Sequence, residues 1–588
     1  MSAHGTKLAT RARSRRALAI TLALAIASLA CGSSSWASDS AAKTIKAIAK
    51  TYAQDSVQTG GSVGIEIGVV YGTETPQFIS AGDAIAGSGR KAFTSAAIFQ
   101  IGSVTKVFTT NLLGQEVSNG SLELSAPLSS FETEIGSLEP LTGEVTLEEL
   151  GDFTGGFPSY AEACGTPIVA GCLPSSRPTI ETYDGQDFAE YFQTALPMNF
   201  FNTPPTLVST LPAPYNYSDY SIGLLGLLLG DTSDAPLSNA ALTGWFDAVQ
   251  SQILTPLDMD STFLFGAAGK VIADGYDPAL AKASVSDGEI SSISVTSPGG
   301  LYASAPSVTV TGGGGKGAKA VATINGNGGV NSITVTKAGS GYIAPASVIF
   351  TNGGSSTTAN AAVIVNGGKV TAIKIAGAGA GYMNVPTVTI TGGRKTKGTD
   401  ATAVAHLVNG QISYVEVTDG GSGYVPTLAV IVGPGSPAIN NIPIWAAAGA
   451  LSSSMNDMVT FAAAAMGNSK VGKVTVPPAV TSGFMIAETP YACQAEDPSL
   501  GDCPATTAQS ALGWSITPAD MADSVPEIVG KNGGIEGFST QVLLMPSKNL
   551  AVVVFANSRQ NVPDTGTATA EAERVARDVL FALFYNLP

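Results

Sequence analysis

Four tyrosines, Tyr302, Tyr342, Tyr382 and Tyr424, recur at intervals of 40, 40 and 42 residues, each in similar surroundings. Alternating β-branched stretches precede them (Ile293-Ser-Val-Thr, Ile333-Thr-Val-Thr, Ile373-Lys-Ile), and others follow (Val308-Thr-Val, Val348-Ile-Phe, Val388-Thr-Ile, Val430-Ile-Val). Such runs, bounded by Gly, Pro and Asn, read as short strands. A fixed period of this size marks a repeat architecture in which stacked units bury a shared core. The 160 residues 281–440 hold 29 of the 68 glycines and neither Trp nor Cys, so the repeats form a β-rich module distinct from their flanks. The tyrosines read as core or turn anchors, with a glycan-binding face as the alternative.

The flanks carry a different pattern. Ala41 to Tyr52 reads as a helix, and Ser62–Tyr71 with Gln77–Ser80 as a hairpin. Gln541–Met545 and Leu550–Phe555 flank a Pro546-Ser-Lys-Asn549 turn, and a helix over about 567–585 closes the chain. The two ends can thus build one antiparallel sheet flanked by helices, while residues 95–260 form a mostly helical lobe. The expected fold is α+β, with residues 38–281 and 441–588 as one catalytic domain and residues 282–440 inserted into it.

The N-terminus reads as an export signal over residues 1–37. Lys7, Arg11, Arg13, Arg15 and Arg16 precede an apolar run, Ala17 to Ala30, and Ser35-Trp36-Ala37 fits a small-x-small cleavage site. The residues before Cys31 are a poor lipobox, which argues against a lipid anchor. A periplasmic or secreted protein without a transmembrane segment is expected. Without its leader the chain keeps 24 basic against 45 acidic residues, a net charge of −21. That field repels nucleic acid. Cys164, Cys172, Cys493 and Cys503 form two locally spaced pairs, suited to two short disulfide loops, although three connectivities are open. No metal or cofactor motif is present.

Histidine limits the chemistry further. His4 leaves with the signal, so only His406, inside the repeats, remains. Lysine and tyrosine are then the available bases. Ser103-Val-Thr-Lys106 supplies a candidate nucleophile, because residues i and i+3 share a helix face and a serine hydroxyl needs a neighbouring base. Ser40-Ala-Ala-Lys43 and Ser88-Gly-Arg-Lys91 have the same spacing. Only Ser103 is followed by a helical apolar run, Val104, Val107, Phe108, Leu112 and Val117, with Asn119-Gly120 as a stop.

Ser103-Val-Thr-Lys106, Tyr217-Ser-Asp219 and Lys531-Asn-Gly533-Gly534 resemble, in order, the three motifs of the penicillin-binding and class C β-lactamase superfamily. Thr146-Leu-Glu-Glu-Leu…Phe153-Thr-Gly-Gly-Phe-Pro158 and Pro256-Leu-Asp-Met-Asp-Ser-Thr-Phe263 are similar to further segments of that family. The resemblance implies a β-lactamase/transpeptidase-like fold. It also implies that Ser103 is acylated, Lys106 accepts or relays its proton, and Tyr217 is the general acid/base. Lys531 would anchor a substrate carboxylate and polarise Tyr217, and the N–H groups of Ser103 and Gly534 would form the oxyanion hole. Two positions depart from the family pattern: Asp219 stands where asparagine is common, and Asn532 replaces the threonine of Lys-Thr-Gly. An ionised aspartate accepts hydrogen bonds but cannot donate one to a substrate amide.

Gly275-Tyr276-Asp277 before the repeats and Pro443-Ile-Trp445…Gly449-Ala-Leu-Ser-Ser…Asp457-Met458 after them look like neighbouring pieces of the family's Ω-loop region, which would set the repeats beside the cleft. The resemblance therefore implies an exported serine hydrolase for D-alanyl peptides or β-lactam-like amides, its substrate a small molecule or cell-wall peptide, with possible glycan contact through the repeats. A carboxylesterase of the same fold is one alternative. A catalytically silent scaffold displaying the repeats is another.

Overall fold

The computed structural model describes residues 35–588 except 60, 73–74, 86–90, 132–136, 160–161, 164–171, 174–195, 200, 203–205, 231–238, 265–272, 274–279, 300–301, 303, 327–328, 344–346, 352–356, 396, 427–428, 433–445, 536, 558–560 and 563–568. Most of the leader, Cys31, Cys164 and the Ω-loop-like flanks at 275–277 and 443–445 therefore lie outside the described residues. Contacts divide the chain into a small unit, residues 1–44 with Pro588, and a large one, Ile45–Leu587. Among the described residues no helix is long and apolar enough to cross a membrane.

Both ends of the large unit meet in one nine-stranded sheet. Its order is Ala492–Cys493, Gln509–Ser510, Ser515–Thr517, Ile528–Ile535, Phe538–Met545, Leu550–Ala556, Gly64–Tyr71, Gln77–Ile85 and Lys91–Ala92, every pairing antiparallel. Leu550–Ala556 reads Leu-Ala-Val-Val-Val-Phe-Ala without polar alternation because the sheet is covered on both faces. Val552 and Val554 face one way, into a core with Tyr52, Val575, Val579 and Leu580, whereas Val553 and Phe555 face the other, with Phe99 and Val459. Burying each such side chain contributes roughly 1.5–3 kcal/mol. Residues 45–58 of the helix Ser35–Gln58, with the helix Glu571–Asn586, supply the first cover.

The other cover is the helical lobe, with Lys106–Asn119, Leu147–Gly151, Asp219–Gly230 and Asn239–Val249 before the repeats and Met455–Ala465 and Pro478–Ala487 after them. A small sheet, Ile98–Gln100 beside Leu451–Ser454 and Phe263–Leu264, ties these two stretches together just ahead of Ser103. Cys493 and Cys503 form a disulfide.

The strand-rich region between Leu280 and Val432 departs from a simple stack. Tyr342, Tyr382 and Tyr424 are buried, and their hydroxyls accept hydrogen bonds from the backbone N–H of Ala318, Ala359 and Ala401 at 3.2, 2.7 and 2.9 Å. Each tyrosine thus fastens its own repeat to a point 23 or 24 residues earlier. The backbone then joins repeats in pairs. Tyr342 N donates to Gly288 O in the first repeat's turn, Tyr424 N to Gly368 O, and Tyr382 N to Gly410 O. Two separate cores result, one around Ile290, Ile293, Tyr302, Ile333 and Tyr342, the other around Val363, Ile373, Tyr382, Val415 and Tyr424. The strands that follow the tyrosines close the set: Ser307–Thr311 pairs with Ala429–Val432, and Ser347–Thr351 with Thr387–Thr391. The first strand, Leu280–Ser286, meets the last, with Leu280 opposite Ile431.

The second repeat pair rests on the C-terminal helix. Ile364, Ala372, Val408 and Tyr414 share a core with Tyr52 and Phe581. Arg577 Nη2 donates to Ile375 O at 3.3 Å, and Lys374 pairs with Asp55 at 3.4 Å.

Candidate active site

Ser103 lies on a 3₁₀ turn, Gly102–Thr105, that runs directly into the helix Lys106–Asn119, so the α-helix begins one turn later than the sequence pattern predicts. Gly102 has φ +51°, a left-handed conformation that disfavours any side chain. A Cβ there would also stand 3.1 Å from Gly534 N and 3.2 Å from its carbonyl carbon. A Cβ on Gly533 would collide with Ile101 O. These contacts, with Thr540 Oγ1 donating to Ile101 O at 2.8 Å, fasten the Ser103 turn to the strand Ile528–Ile535. Lys531, Asn532, Gly533 and Gly534 are thereby brought beside Ser103.

Lys106 is fully buried. Its Nζ donates to Ser103 Oγ at 3.3 Å and to Ala448 O at 2.8 Å, and it forms an ion pair with Asp219 Oδ1. An ammonium has three N–H bonds, and three acceptors take them. In this arrangement the Lys106 Nζ donates to Ser103 Oγ. Ala448 O is held in place because Thr109 Oγ1 donates to the neighbouring Ala447 O at 2.7 Å while accepting from Trp245 Nε1 at 3.1 Å.

Tyr217 and Asp219 arrive on a braced loop. Ser159 Oγ donates to Tyr217 O at 2.7 Å, Ser218 Oγ to Pro158 O at 2.8 Å, and Asn216 Nδ2 to Phe157 O at 2.7 Å. Ser218 Oγ also accepts from Ser221 N at 3.0 Å, which starts the helix Asp219–Gly230. The Phe153–Pro158 segment noted in the sequence is therefore a scaffold for the tyrosine motif. The Tyr217 ring lies close to both lysines, its centroid 4.9 Å from Lys106 Nζ and 5.0 Å from Lys531 Nζ.

Lys531 is 4% exposed, and its Nζ donates to Asn532 O at 2.7 Å and Asn532 Oδ1 at 3.1 Å. Burial, then the charge of Lys106, pushes its ammonium down to about 7, although Asp219 and Glu573 pull it back up. The side chain of Asn532 thus turns onto the lysine beside it. His406 takes no part: its ring stacks on Tyr585 at 4.0 Å and its Nε2 lies 3.2 Å from Glu416. Of the rival Ser-x-x-Lys matches, Ser88 lies outside the described residues and Ser40 is exposed on the N-terminal helix.

The structure adds Ala448, Ser159, Ser218 and Thr540 to the residues found from the sequence. Ser159, Ser218 and Thr540 brace backbone carbonyls through their hydroxyls and Ala448 acts only through its own carbonyl, so no motif announces Ala448, Ser159 or Thr540. Ser218 alone had a visible cue, as the serine preceding a helix.

Comparison with known proteins bears on the family and the fold. A family model described as Beta-lactamase matches residues 49–334 and 385–576. A curated relative, a "Beta-lactamase" of Pseudomonas fluorescens, is 28% identical over 208 residues, which are 34% of this chain and 47% of that protein. The chain thus matches about half the length of that relative. Among solved structures, a class C beta lactamase aligns with TM-score 0.50 at 13% identity, over 93% of this chain and 99% of that one, which shows the fold. A beta-lactamase/D-alanine carboxypeptidase from Pseudomonas syringae aligns with TM-score 0.47 at 15% identity, over 92% and 99%.

Proposed function

The chain belongs to the beta-lactamase family, and from that premise we propose that it is an exported serine hydrolase forming an acyl-enzyme on Ser103, acting on D-alanyl peptides or β-lactam-like amides. The observation that carries this reading is the set of groups around Ser103. Lys106, filled by three acceptors, holds the hydroxyl as a donor, and Tyr217 lies close to both Lys106 and Lys531. The Lys106 ammonium, and that of Lys531 while it is protonated, would favour negative charge on the phenol, so Tyr217 is the group to take the Ser103 proton. Ser103 Oγ then attacks the substrate carbonyl, whose oxygen is received by the N–H groups of Ser103 and Gly534. Tyr217 returns the proton to the leaving group, and water attacks the ester that remains. Lys531, when protonated, pairs with a carboxylate on the substrate.

Export rests on the basic-then-apolar leader. Contact with cell-wall glycan would have to use exposed strand faces, because all four repeat tyrosines are buried.

A carboxylesterase is the second reading, and Asp219 favours it. Held by Lys106, it can only accept hydrogen bonds, so it offers nothing to an acyl-amide carbonyl. Intact-protein mass after incubation with a labelled penicillin and with a fluorophosphonate tests the acyl-enzyme. One adduct with at least one probe, lost in Ser103→Ala, is expected. No adduct from either would leave a silent scaffold. Turnover of nitrocefin, a D-Ala-D-Ala peptide and a p-nitrophenyl ester then separates the substrate classes.

A further inference from the structure

A cavity of about 870 Å³ begins at Tyr217, Lys531 and Asn532 and extends to the second repeat pair. Neither Ser103 nor Gly534 lines it, so it lies to one side of the carbonyl that those two residues would hold. Tyr217 does line it, and Tyr217 is the group that would return a proton to the departing amine or alcohol. The space beyond Tyr217 and Lys531 is therefore where a leaving group would stand, while the acyl group stays on Ser103. Sites for compact organic ligands span roughly 300–1,000 Å³, so a leaving group of that kind fits as long as the space is bounded.

The bound comes from the repeats. Thr402–Val408 and Gln411–Asp419 form a hairpin in which Val408 stands opposite Gln411. Asn409 and Gly410, with φ +52° and +70°, make the two-residue turn that left-handed pairs allow. Val408, Asn409 and Gln411 line the cavity together with Thr517, Ile528 and Phe581 of the host. Three attachments keep the turn from swinging aside. Asn409 N donates to Asp520 Oδ2 at 2.7 Å, and Asp520 Oδ1 is itself held by Ala522 N and Asp523 N at 2.9 and 3.2 Å. Tyr382 N donates to Gly410 O and Ile412 N to Ala378 O, which ties the turn to the preceding repeat. On the C-terminal helix, Tyr585 stacks on His406 at 4.0 Å and on Tyr414 at 5.5 Å. A turn fixed by a host loop, a neighbouring repeat and a helix is a rigid wall.

We propose that the Asn409–Gln411 turn is a specificity element for the leaving group: it admits a compact amine or alcohol and stops one that continues as an extended chain. A peptide that loses a single terminal residue fits this space, and one whose leaving amine carries a further chain does not. The inference deepens the serine-hydrolase reading and rests on it for the position of the bond that breaks.

Acetate esters test it on the full-length protein, because all give one acetyl-enzyme and differ only in the alcohol released. Phenyl, 4-biphenylyl and 4-terphenylyl acetate extend the leaving group in a straight line. The wild type is expected to lose roughly tenfold or more in kcat/KM from the phenyl to the terphenylyl ester. Asp520→Ala releases the tip and should raise the terphenylyl-to-phenyl ratio about fivefold or more. Gln411, exposed at the rim, becomes a filler in Gln411→Trp, which should lower the biphenylyl-to-phenyl ratio by as much. The ratio of phenyl hexanoate to phenyl acetate varies only the acyl side and should be the same in all three proteins. Wild-type turnover that ignores leaving-group length overturns the proposal. So do variants with unaltered leaving-group ratios, or with an equal change in the acyl ratio, which marks general damage to the fold. Calorimetric binding of 4-hydroxybiphenyl to Ser103→Ala needs no turnover. Affinity that Gln411→Trp weakens about fivefold or more supports the wall even where no ester is hydrolysed, and the hydrolase reading then falls alone. Hydrolysis with unaltered leaving-group ratios removes the wall alone, and neither hydrolysis nor an affinity that depends on Gln411 removes both.

Discussion

Replacing Lys531 by methionine should make the protein more stable at pH 6 while weakening its grip on anionic substrates. The folded chain holds the Lys531 ammonium at about 7 against a reference of 10.5, chiefly through burial and the charge of Lys106. The unfolded chain keeps that proton to above pH 10, so between pH 7 and about 10.4 unfolding takes up a proton and stability rises with pH. Below pH 7 both states are charged and the full penalty is present, about 5 kcal/mol at 1.36 kcal/mol per pH unit. Methionine fills a similar volume without charge, so Lys531→Met removes the penalty. Its advantage over the wild type should shrink by about 3 kcal/mol between pH 6 and pH 9. Urea unfolding of both proteins at pH 6, 7, 8 and 9 measures this difference, and the titrations that they share cancel. The same group sets binding: above pH 7 the wild-type KM for a carboxylate-bearing substrate should rise about tenfold per pH unit, whereas a neutral ester shows no such limb. Parallel stability curves, or an equal alkaline rise in KM for both substrates, would refute a neutral-poised Lys531.

Gly102→Ala adds a Cβ 3.1 Å from Gly534 N at φ +51°. Steady-state assay of a p-nitrophenyl ester should show kcat reduced about 10²–10³-fold, as for loss of one oxyanion donor, with the melting temperature also lowered by the backbone strain. Glu66 is buried in the sheet with Oε2 unpartnered, and burial pushes its carboxyl up to about 8. Its contribution is lost as pH rises from about 4.5 to 8, so Glu66→Gln should match the wild type at pH 4 and exceed it by about 5 kcal/mol at pH 9, read by urea unfolding.

Ser103, Lys106, Tyr217 and Lys531 were legible because each sits in a short motif whose spacing survives without the fold. The central sheet was legible too: strands such as Gly64–Tyr71 and Leu550–Ala556 are apolar runs buried on both faces, and a turn at Pro546–Asn549 joins the last pair. The third acceptor of Lys106 was not. Ala448 O is a backbone carbonyl 342 residues away, across the whole repeat region, and no side-chain pattern marks it. Repeat pairing was hidden for another reason. Four similar units carry similar hydrogen-bonding turns, so the pattern cannot say whether Tyr342 N meets Gly288 or Gly368. The cavity wall was equally invisible, since it depends on where the second pair docks.

That docking follows from how the repeats close. Leu280 faces Ile431 across one antiparallel pairing, so the strand-rich region leaves and returns at neighbouring points. Two paired strands stand about 5 Å apart, a gap that an ordinary surface loop spans. Ordering some 150 residues is then met by their own two cores, while the host closes a short gap, and loop-closure entropy grows only slowly with length in any case. The two stretches on either side are consequently free to build one sheet and one Ser103 turn, tied by the Ile98–Gln100 and Leu451–Ser454 pairing. The acidic partner of Lys106 and its carbonyl acceptor come from opposite sides of the repeats, yet both reach the same ammonium. A module attached in this way can change what surrounds the cleft, through the Asn409–Gln411 turn, without moving the groups that would act on the acyl carbonyl.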